Sequence, residues 1–594
     1  MNLINNVTEG QPLTSASQPE QPTGIDAAAP QAWGSDRIAA LLSQLDMPYL
    51  CLNPGSSFRG LHDSVVNYLG NTSPQMLVCL HEEHAVAIAH GYAKATGKPL
   101  AVALHANVGL MHATMSIFNA WCDRLPMLVL GATGPVDAAK RRPFIDWIHT
   151  MRDQGALVRS YTKWDDQPAS VEATEEALLR AMQIARTEPQ GPVYINLDAE
   201  VQEAPYAAGR PMPDLGRYRP VPAPAPDPTM LEEAARLLTG ARRPAILMGR
   251  ATRDPADWDR RVRLAESLGA MVITDLKVGA AFPTAHPLHC AAPGMSLSKA
   301  AIARLTEADV VLSLDWVDLA GFISTVWPNG PCPAKIVLAS VDHHVHNGFS
   351  FDHMALPPVD LHFATTPEAF TAALLERLPA PTRSYTVTPR RPAAPARGDE
   401  LSLADIAYAL DHAAEGRPVC LSRLPLGWDG ALMDFNHPLD QLGHSGGGGV
   451  GSGPGMAVGS ALALLGSGRL PVAVLGDGDT LMGVTAIWTA VHYNIPMLVI
   501  SANNRSYFND ELHQERVARR RSRPVENRWI GQRIADPEPD IAKMAEAQGA
   551  LGFGPICDPD ALRVAMKAAV EAVVAGKVAV LDVHIGPGYA GSGG

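Results

Sequence analysis

The chain has 594 residues, a formal net charge of −13 and 46% hydrophobic residues, enough for roughly three domains with large buried cores. Its acidic balance argues against a nucleic-acid binder, which needs a basic surface to displace counterions. The start lacks the apolar run of a secretory signal, and no apolar stretch is clean enough to span a bilayer. The seven cysteines are dispersed without the paired spacing of a zinc site. Composition therefore predicts a cytoplasmic protein with reduced thiols and with neither nucleic-acid nor membrane partners.

Shifts in composition divide the chain. Residues 1–33 are rich in Gln, Pro, Ser and Ala and show no sustained period, so we interpret them as a mobile tail. Two Pro-rich stretches, within 205–228 and 378–400, favour extended backbone and are predicted to be linkers. The remaining sequence forms three blocks, at 34–204, 229–377 and 401–588.

Short apolar runs alternate with longer amphipathic stretches in every block. In the first block, a predicted strand at 75–80 leads into a helix over 81–97 that Gly97 ends, followed by a strand at 99–105, a helix around 110–122 and a strand at 126–132. The later blocks contain predicted strands at 244–249, 271–275, 309–315, 334–340, 417–422, 470–476, 495–503 and 578–585. Strands rich in Val, Ile and Leu that alternate with helices indicate parallel sheets covered on both faces. We therefore expect an α/β fold with three doubly wound parallel-sheet domains.

The segment from Gly476 to Asn504 carries the most specific pattern. Gly476-Asp477-Gly478 follows one predicted strand directly, and Asn503-Asn504 follows the next. Adjacent parallel strands would place both turns at the carboxyl edge of one sheet, where ligands of α/β proteins bind. A carboxylate and an amide oxygen suit Mg²⁺. Gly478 would let backbone amides approach a diphosphate at the start of the following helix.

A second pattern joins the first block to this one. His81-Glu82 opens the predicted helix after the strand at 75–80, and Gly91-Tyr92-Ala93 begins nine residues after Glu82. With Asn504 lying 27 positions after Asp477, the two patterns resemble those of the thiamine diphosphate-dependent enzymes. The resemblance covers nearly the whole chain after the tail. It implies a pyrimidine-binding (PYR), a central and a diphosphate-binding (PP) domain, with thiamine diphosphate and Mg²⁺ as cofactors.

The resemblance also assigns roles around the metal. Asp477 and Asn504 would supply side-chain ligands, and Ser506 its backbone carbonyl. Gly476 and Gly478 would border the diphosphate. Asp479 stands where the family often has a small hydroxyl residue or glycine, so a second carboxylate there would repel a diphosphate unless it turned away.

The remaining cofactor contacts are assigned to the strand end at 417–422 and to the glycine-rich stretch 446–455. Ser422 is expected to touch the cofactor. By resemblance, the carbonyl of Gly448 would accept from the 4′-amino group, and Val450 would press the two rings into a V. The spaced glycines of this stretch also fit a nicotinamide-binding Rossmann protein, but no clear strand leads into them.

Thiamine chemistry needs a carboxyl group that exchanges a proton with N1′ of the pyrimidine ring. Burial against that ring would raise the pKa of such a carboxyl. The spacing to Gly91 favours Glu82 over its neighbour Glu83 for this role. Because Glu82 and Asp477 lie in domains that meet across a subunit interface in the family, the resemblance implies a homodimer at least, and we expect a homotetramer.

The first block is most similar to benzoylformate decarboxylase. The segments at 53–57 (NPGSS) and 104–109 (LHANVG) carry this similarity, which implies that Ser56 and His105 face the substrate and relay protons. That enzyme has a second catalytic histidine in its central block, whereas 313–327 contains none here. His343, His344 and His346 are too far along the chain to replace it.

The sequence thus predicts a 2-oxo acid decarboxylase or carboligase with a small 2-oxo acid or acyl substrate. An acetolactate synthase-like or a 2-hydroxyacyl-CoA lyase-like enzyme is the alternative, and a non-catalytic thiamine diphosphate-binding subunit is the alternative from another class. Some relatives carry FAD, and no residue here demands it, so FAD stays open. The arginine-rich segment 513–533 is expected to form an exposed basic face or, as the alternative, a clamp for a substrate carboxylate or phosphate.

Overall fold

The computed structural model describes residues 20–25, 30–207, 209–342, 356–396 and 398–587. The predicted tail lies largely outside these residues, as do His343, His344 and His346. Three sheets of six, five and five strands occupy successive parts of the chain, and their strands pair in parallel. The predicted class, an α/β fold with three parallel-sheet domains, is therefore confirmed. Among the described helices, none combines the length and apolar character needed to cross a bilayer.

The first domain contains a six-stranded sheet in the order β2-β1-β3-β4-β6-β5. Its strands are β1 (Tyr49–Leu52), β2 (Gln75–Val78), β3 (Ala101–Leu104), β4 (Met127–Thr133), β5 (Asp165–Asp166) and β6 (Pro192–Asp198). Its helices are α1 (Gly34–Gln44), α2 (Arg59–Asp63), α3 (Glu82–Thr96), α4 (Ala106–Cys122), α5 (Ile145–His149), α6 (Val171–Arg186) and α7 (Ala199–Glu203). Gly97 ends α3 with a φ of +67°, as the sequence predicts for a helix stop.

The central domain has a five-stranded sheet in the order β11-β10-β9-β7-β8. Its strands are β7 (Pro244–Met248), β8 (Met271–Ile273), β9 (Val310–Leu314), β10 (Lys335–Ala339) and β11 (Leu361–Phe363). Its helices are α8 (Pro228–Gly240), α9 (Pro255–Leu268), α10 (Lys299–Leu305), α11 (Leu319–Val326) and α12 (Pro367–Leu375). The apolar strand residues are almost wholly buried because helices cover the sheet.

The third domain has the strand order β12-β13-β14-β16-β15. Its strands are β12 (Val419–Arg423), β13 (Leu470–Gly476), β14 (Met497–Asn503), β15 (Leu551–Ile556) and β16 (Val578–His584). Its helices are α13 (Leu403–Ala414), α14 (Gly453–Ala463), α15 (Asp477–Gly483), α16 (Ala486–His492), α17 (Phe508–Arg520), α18 (Ile541–Glu546) and α19 (Pro559–Val574). Because β12, β13 and β14 are neighbours, the turns after them lie at one edge of the sheet.

Helix α3 of the first domain packs closely along α14 of the third. A Cβ added to Gly91 would lie 2.1 Å from the carbonyl oxygen of Met456, and one added to Gly459 would lie 1.9 Å from that of Ile88. Backbones this close leave room only for glycine. Glu83 adds a polar contact to this interface, since its Oε1 accepts from Ser452 Oγ at 3.2 Å.

Candidate active site

Asp477 and Asn504 converge at the carboxyl edge of the third sheet. Asp477 begins α15 directly after β13, and Asn504 follows β14. The backbone N–H of Ser506 donates to Asp477 Oδ2 and to Asn504 Oδ1, both at 3.0 Å. One amide thus holds the two oxygens together, as a shared metal ligand set requires. The sequence predicted both side chains and their proximity.

The Asp477 carboxylate is buried. Only 3% of the residue is exposed, and this burial raises its pKa to about 6 although the amides of Gly478 and Ser506 donate to it. A buried carboxyl with a raised pKa gains most from a nearby positive charge. An oxygen ligand set with these properties fits a hard divalent ion such as Mg²⁺.

Asp479 is turned away from this position. Its Oδ1 accepts from the amides of Gly451 at 2.7 Å and Gly453 at 3.1 Å, while its Oδ2 lies 3.6 Å from Arg423 Nε. The second carboxylate therefore fixes the glycine-rich turn before α14. The predicted contact between Asp479 and the cofactor stays a prediction.

Two glycines, Gly448 in the glycine-rich stretch and Gly476 at the end of β13, have open space beside their backbones. Gly448 has a φ of +69°, and a Cβ added there, or at Gly476, would meet no atom within 4 Å. Gly478 differs, because its added Cβ would lie 2.6 Å from the ring of Tyr507. The side chain of Val450 is exposed beside this turn, as a residue that contacts a cofactor would be.

The glycines and Val450 described above line a cavity of about 1700 Å³, to which all three domains contribute. From the third domain come Arg423, Gly448, Val450, Gly476, Asp477, Gly478, Asp479, Asn504 and Ser506. Open glycine backbone beside two metal-type oxygens fits a magnesium diphosphate group.

The predicted contact of Ser422 with the cofactor stays a prediction. Its hydroxyl donates to the carbonyl oxygen of Val472 within the sheet at 3.1 Å, and the residue does not line the cavity. Because neighbouring residues of a strand face opposite sides, Arg423 lines the cavity instead. Sequence reasoning missed Arg423, although it follows the predicted strand at 417–422 in the way that Asp477 follows the next strand of the sheet.

Glu82 opens α3 with 7% of its surface exposed. Its Oε2 lies 3.1 Å from His112 Nδ1, and a Cβ added to Gly109 would lie 3.1 Å from its Oε1. One potential ligand atom each from His81, Glu82 and His112 lies within 4.8 Å of the others. Within one chain, Glu82 does not line the cavity that holds Asp477. His112 was missed because its partner lies in a different helix.

The predicted role of Ser56 toward the substrate stays a prediction. It begins a short 3₁₀ turn (Ser56–Phe58) and is exposed, whereas Ser57 is buried and its Oγ lies 2.9 Å from His105 Nδ1. Ser57 Oγ accepts from the backbone N–H of Ala106, and the Ser57 backbone N–H donates to His105 Nδ1. Nδ1 is therefore an acceptor, and the neutral ring carries its proton on Nε2.

His105 has the electrostatic setting of a neutral donor. Burial, and then the nearby His149, lower its pKa. The two rings meet edge to face with their centroids 4.7 Å apart. At neutral pH His105 therefore presents an uncharged Nε2–H.

The arginine-rich segment contributes no side chain to the cavity. Residues 508–510 of α17 line it, but none of the seven arginines within 513–533 does. Arg519 and Arg528 pair with Glu515 instead. This arrangement favours the exposed basic face over the clamp.

Comparison with known proteins defines the class. The chain matches the N-terminal thiamine pyrophosphate binding domain of thiamine pyrophosphate enzymes over residues 32–157, their central domain over 231–346, and their C-terminal thiamine pyrophosphate binding domain over 426–583. The chain belongs to the thiamine pyrophosphate enzyme family. It is accordingly a thiamine diphosphate-dependent enzyme that acts on carbon–carbon bonds.

Two curated relatives illustrate the range of that family. Benzoylformate decarboxylase of Pseudomonas aeruginosa is 26% identical over 438 residues, which are 72% of this chain and 78% of that protein. A probable acetolactate synthase large subunit of Methanocaldococcus jannaschii is 24% identical over 585 residues, covering 94% and 92% of the two chains.

Solved structures agree in fold. Benzoylformate decarboxylase from Polynucleobacter necessarius has a TM-score of 0.74 at 21% identity, and a putative thiamin diphosphate-dependent enzyme from Mycobacterium smegmatis has 0.73 at 22%. Each match covers 94% of this chain and 100% of the other.

Proposed function

We propose that the protein is a Mg²⁺- and thiamine diphosphate-dependent decarboxylase or carboligase of small 2-oxo acids. The observation that carries this proposal is the pairing of Asp477 Oδ2 and Asn504 Oδ1 on one Ser506 amide beside open glycine backbone. Asp477, Asn504 and the Ser506 carbonyl would hold the metal. When bound, thiamine diphosphate supplies a nucleophilic carbon and an electron sink for cleaving a bond next to a carbonyl.

The first domain would supply the proton chemistry. We assign to Glu82 the proton exchange with pyrimidine N1′, because it is a buried carboxyl whose neighbours include Gly109 and His112. His105 would donate from Nε2 to the substrate carboxylate or carbonyl, while Ser57 holds Nδ1 and so fixes the tautomer. Since Glu82 does not line the cavity of its own chain, we propose that the site is completed in a cytosolic homodimer or homotetramer.

The test is a screen of purified protein with Mg²⁺ and thiamine diphosphate against 2-oxo acids, with and without aldehyde acceptors. We expect CO₂ release, or a ligated product, that Asp477→Ala abolishes without altering the circular dichroism spectrum. Calorimetry should show cofactor binding to the parent and a loss of affinity on the order of 10²-fold or more in the variant, because the metal joins the protein to the diphosphate. Equal affinity in both proteins would contradict the metal assignment.

A second candidate, an acetolactate synthase-like carboligase, is supported by the Methanocaldococcus relative, which matches almost the full chain. The same screen separates the two. Pyruvate alone would then give a five-carbon condensation product with one CO₂ released for every two molecules, whereas a decarboxylase would give one aldehyde and one CO₂ from each molecule.

A further inference from the structure

Arg423 occupies a position equivalent to those of the proposed metal ligands. It ends β12, while Asp477 and Asn504 follow β13 and β14, the next two strands of the sheet. Parallel strands bring their carboxyl ends to one edge, and all three residues line the same cavity.

The guanidinium of Arg423 is buried without sufficient partners. The residue is 5% exposed, and neither its Nε nor its Nη1 has a hydrogen-bond partner. Its ion pair with Asp479 is long, at 3.6 Å. Lys94, another cation of the cavity wall, by contrast donates to Asp123 at 2.6 Å and to the His444 carbonyl at 2.7 Å. Burying an arginine whose N–H donors lack acceptors costs free energy unless an anion binds to it.

A hydroxyl elsewhere in the wall of this cavity also lacks a hydrogen-bond partner. Ser445 is 2% exposed, lines the cavity and has no partner for its Oγ. Two buried polar groups without hydrogen-bond partners in one cavity wall indicate that a polar ligand binds there. A guanidinium matches phosphate oxygens because its donors form a planar fork that binds two oxygens at once.

We propose that Arg423 binds the diphosphate of thiamine diphosphate and that Asp479 positions Arg423. This proposal rests on the proposed function. It explains why a carboxylate is tolerated beside a diphosphate: the charge of Asp479 is held by the amides of Gly451 and Gly453 and balanced by Arg423. The Asp479–Arg423 pair thus presents a cation, not an anion, to the diphosphate.

The experiment measures calorimetric affinities for thiamine diphosphate, and for inorganic pyrophosphate as its competitor, both with Mg²⁺. We expect Arg423→Met to weaken both by roughly 10- to 100-fold, the scale of hydrogen bonds to a charged group. Arg423→Lys should restore part of the loss. Arg469→Met is the matched control, because Arg469 pairs with Asp440 near the opposite end of β13 and should leave both affinities within about 3-fold.

A second measurement separates binding from a merely structural role. Without cofactor, Arg423→Met combined with Asp479→Asn, which removes both charges of the buried pair, should melt no lower than the parent, because no buried carboxylate is left without its cation. Its stabilisation by added cofactor should shrink. Unchanged affinity in Arg423→Met, a loss for thiamine diphosphate but not for pyrophosphate, or a lower melting temperature of the double variant without cofactor would each overturn the proposal. If the parent itself bound no thiamine diphosphate, the proposed function would fail instead.

Discussion

The two halves of the proposed site differ in how much of each a single chain builds. On the third domain, Asp477 is 3% exposed, and backbone amides already hold its oxygens. On the first domain, Glu82 is equally buried, but Leu80 and Met111 around it are 45% and 49% exposed. One chain forms the metal side, which consists of Asp477 and Asn504, because these residues follow adjacent strands of one sheet. The carboxyl side has two exposed apolar side chains, Leu80 and Met111, which the second subunit of the proposed dimer would cover.

The largest effect should come from breaking the carboxyl side. Glu82→Gln keeps the size of the side chain but cannot exchange a proton, so every activity should fall together by about 10²- to 10⁴-fold. Cofactor affinity should change little, since the metal side is intact. The direct measurement is hydrogen–deuterium exchange at C2 of the bound thiamine ring.

Glu83→Gln is the matched control. Its carboxylate faces Ser116 and Ser452 instead of His112, and an amide oxygen can still accept from those hydroxyls, so activity should stay within about 3-fold. A larger defect in Glu83→Gln than in Glu82→Gln would mean that the wrong carboxyl has been assigned.

A smaller effect is expected where the first domain meets the substrate. His105→Ala should lower kcat by about 10²-fold, the scale of a positioned acid–base group, with unchanged cofactor affinity. Ser57→Ala frees Nδ1 and should reduce kcat less, whereas Ser56→Ala should have little effect because Ser56 does not contact His105. Steady-state kinetics of the three variants measure these effects. A defect in Ser56→Ala alone would show that Ser56, and not Ser57, acts with His105.

The smallest expected effect is on the pH dependence of the stability of the cofactor-free protein, through the ionisation of Asp477. Burial raises the pKa of Asp477 from 3.8 to about 6, so the folded state favours its protonated form. Protonated Asp477 therefore contributes roughly 2 to 3 kcal/mol to the free energy of unfolding below about pH 4. This contribution is lost as the pH rises to about 6. Asp477→Asn should remove this pH-dependent difference in denaturant unfolding of the cofactor-free protein.

Metal binding should show the opposite trend. Mg²⁺ needs the ionised carboxylate, so cofactor affinity in the parent should weaken about tenfold per pH unit below about pH 6. A pH-independent affinity between pH 5 and 7 would argue that Asp477 does not hold the metal.

The sequence by itself determined the fold class, most strand positions and the turns that carry Asp477 and Asn504. The apolar runs at 470–476 and 495–503 coincide with β13 and, within two residues, with β14, because buried parallel strands need continuous apolar residues. The end of each such strand then gives Asp477 and Asn504 directly. Among the strands that were not predicted, β5 has two residues and β15 is partly exposed, whereas β6 is seven residues long and wholly buried.

Tertiary structure alone decided which of two neighbouring residues makes a given contact. Ser57 instead of Ser56 contacts His105, Arg423 instead of Ser422 lines the cavity, and Asp479 turns toward the glycine-rich amides. Adjacent residues have almost the same local pattern, so spacing cannot separate them. Their directions depend on which face of the strand or turn packs against the next domain, and that packing involves residues far away in the chain.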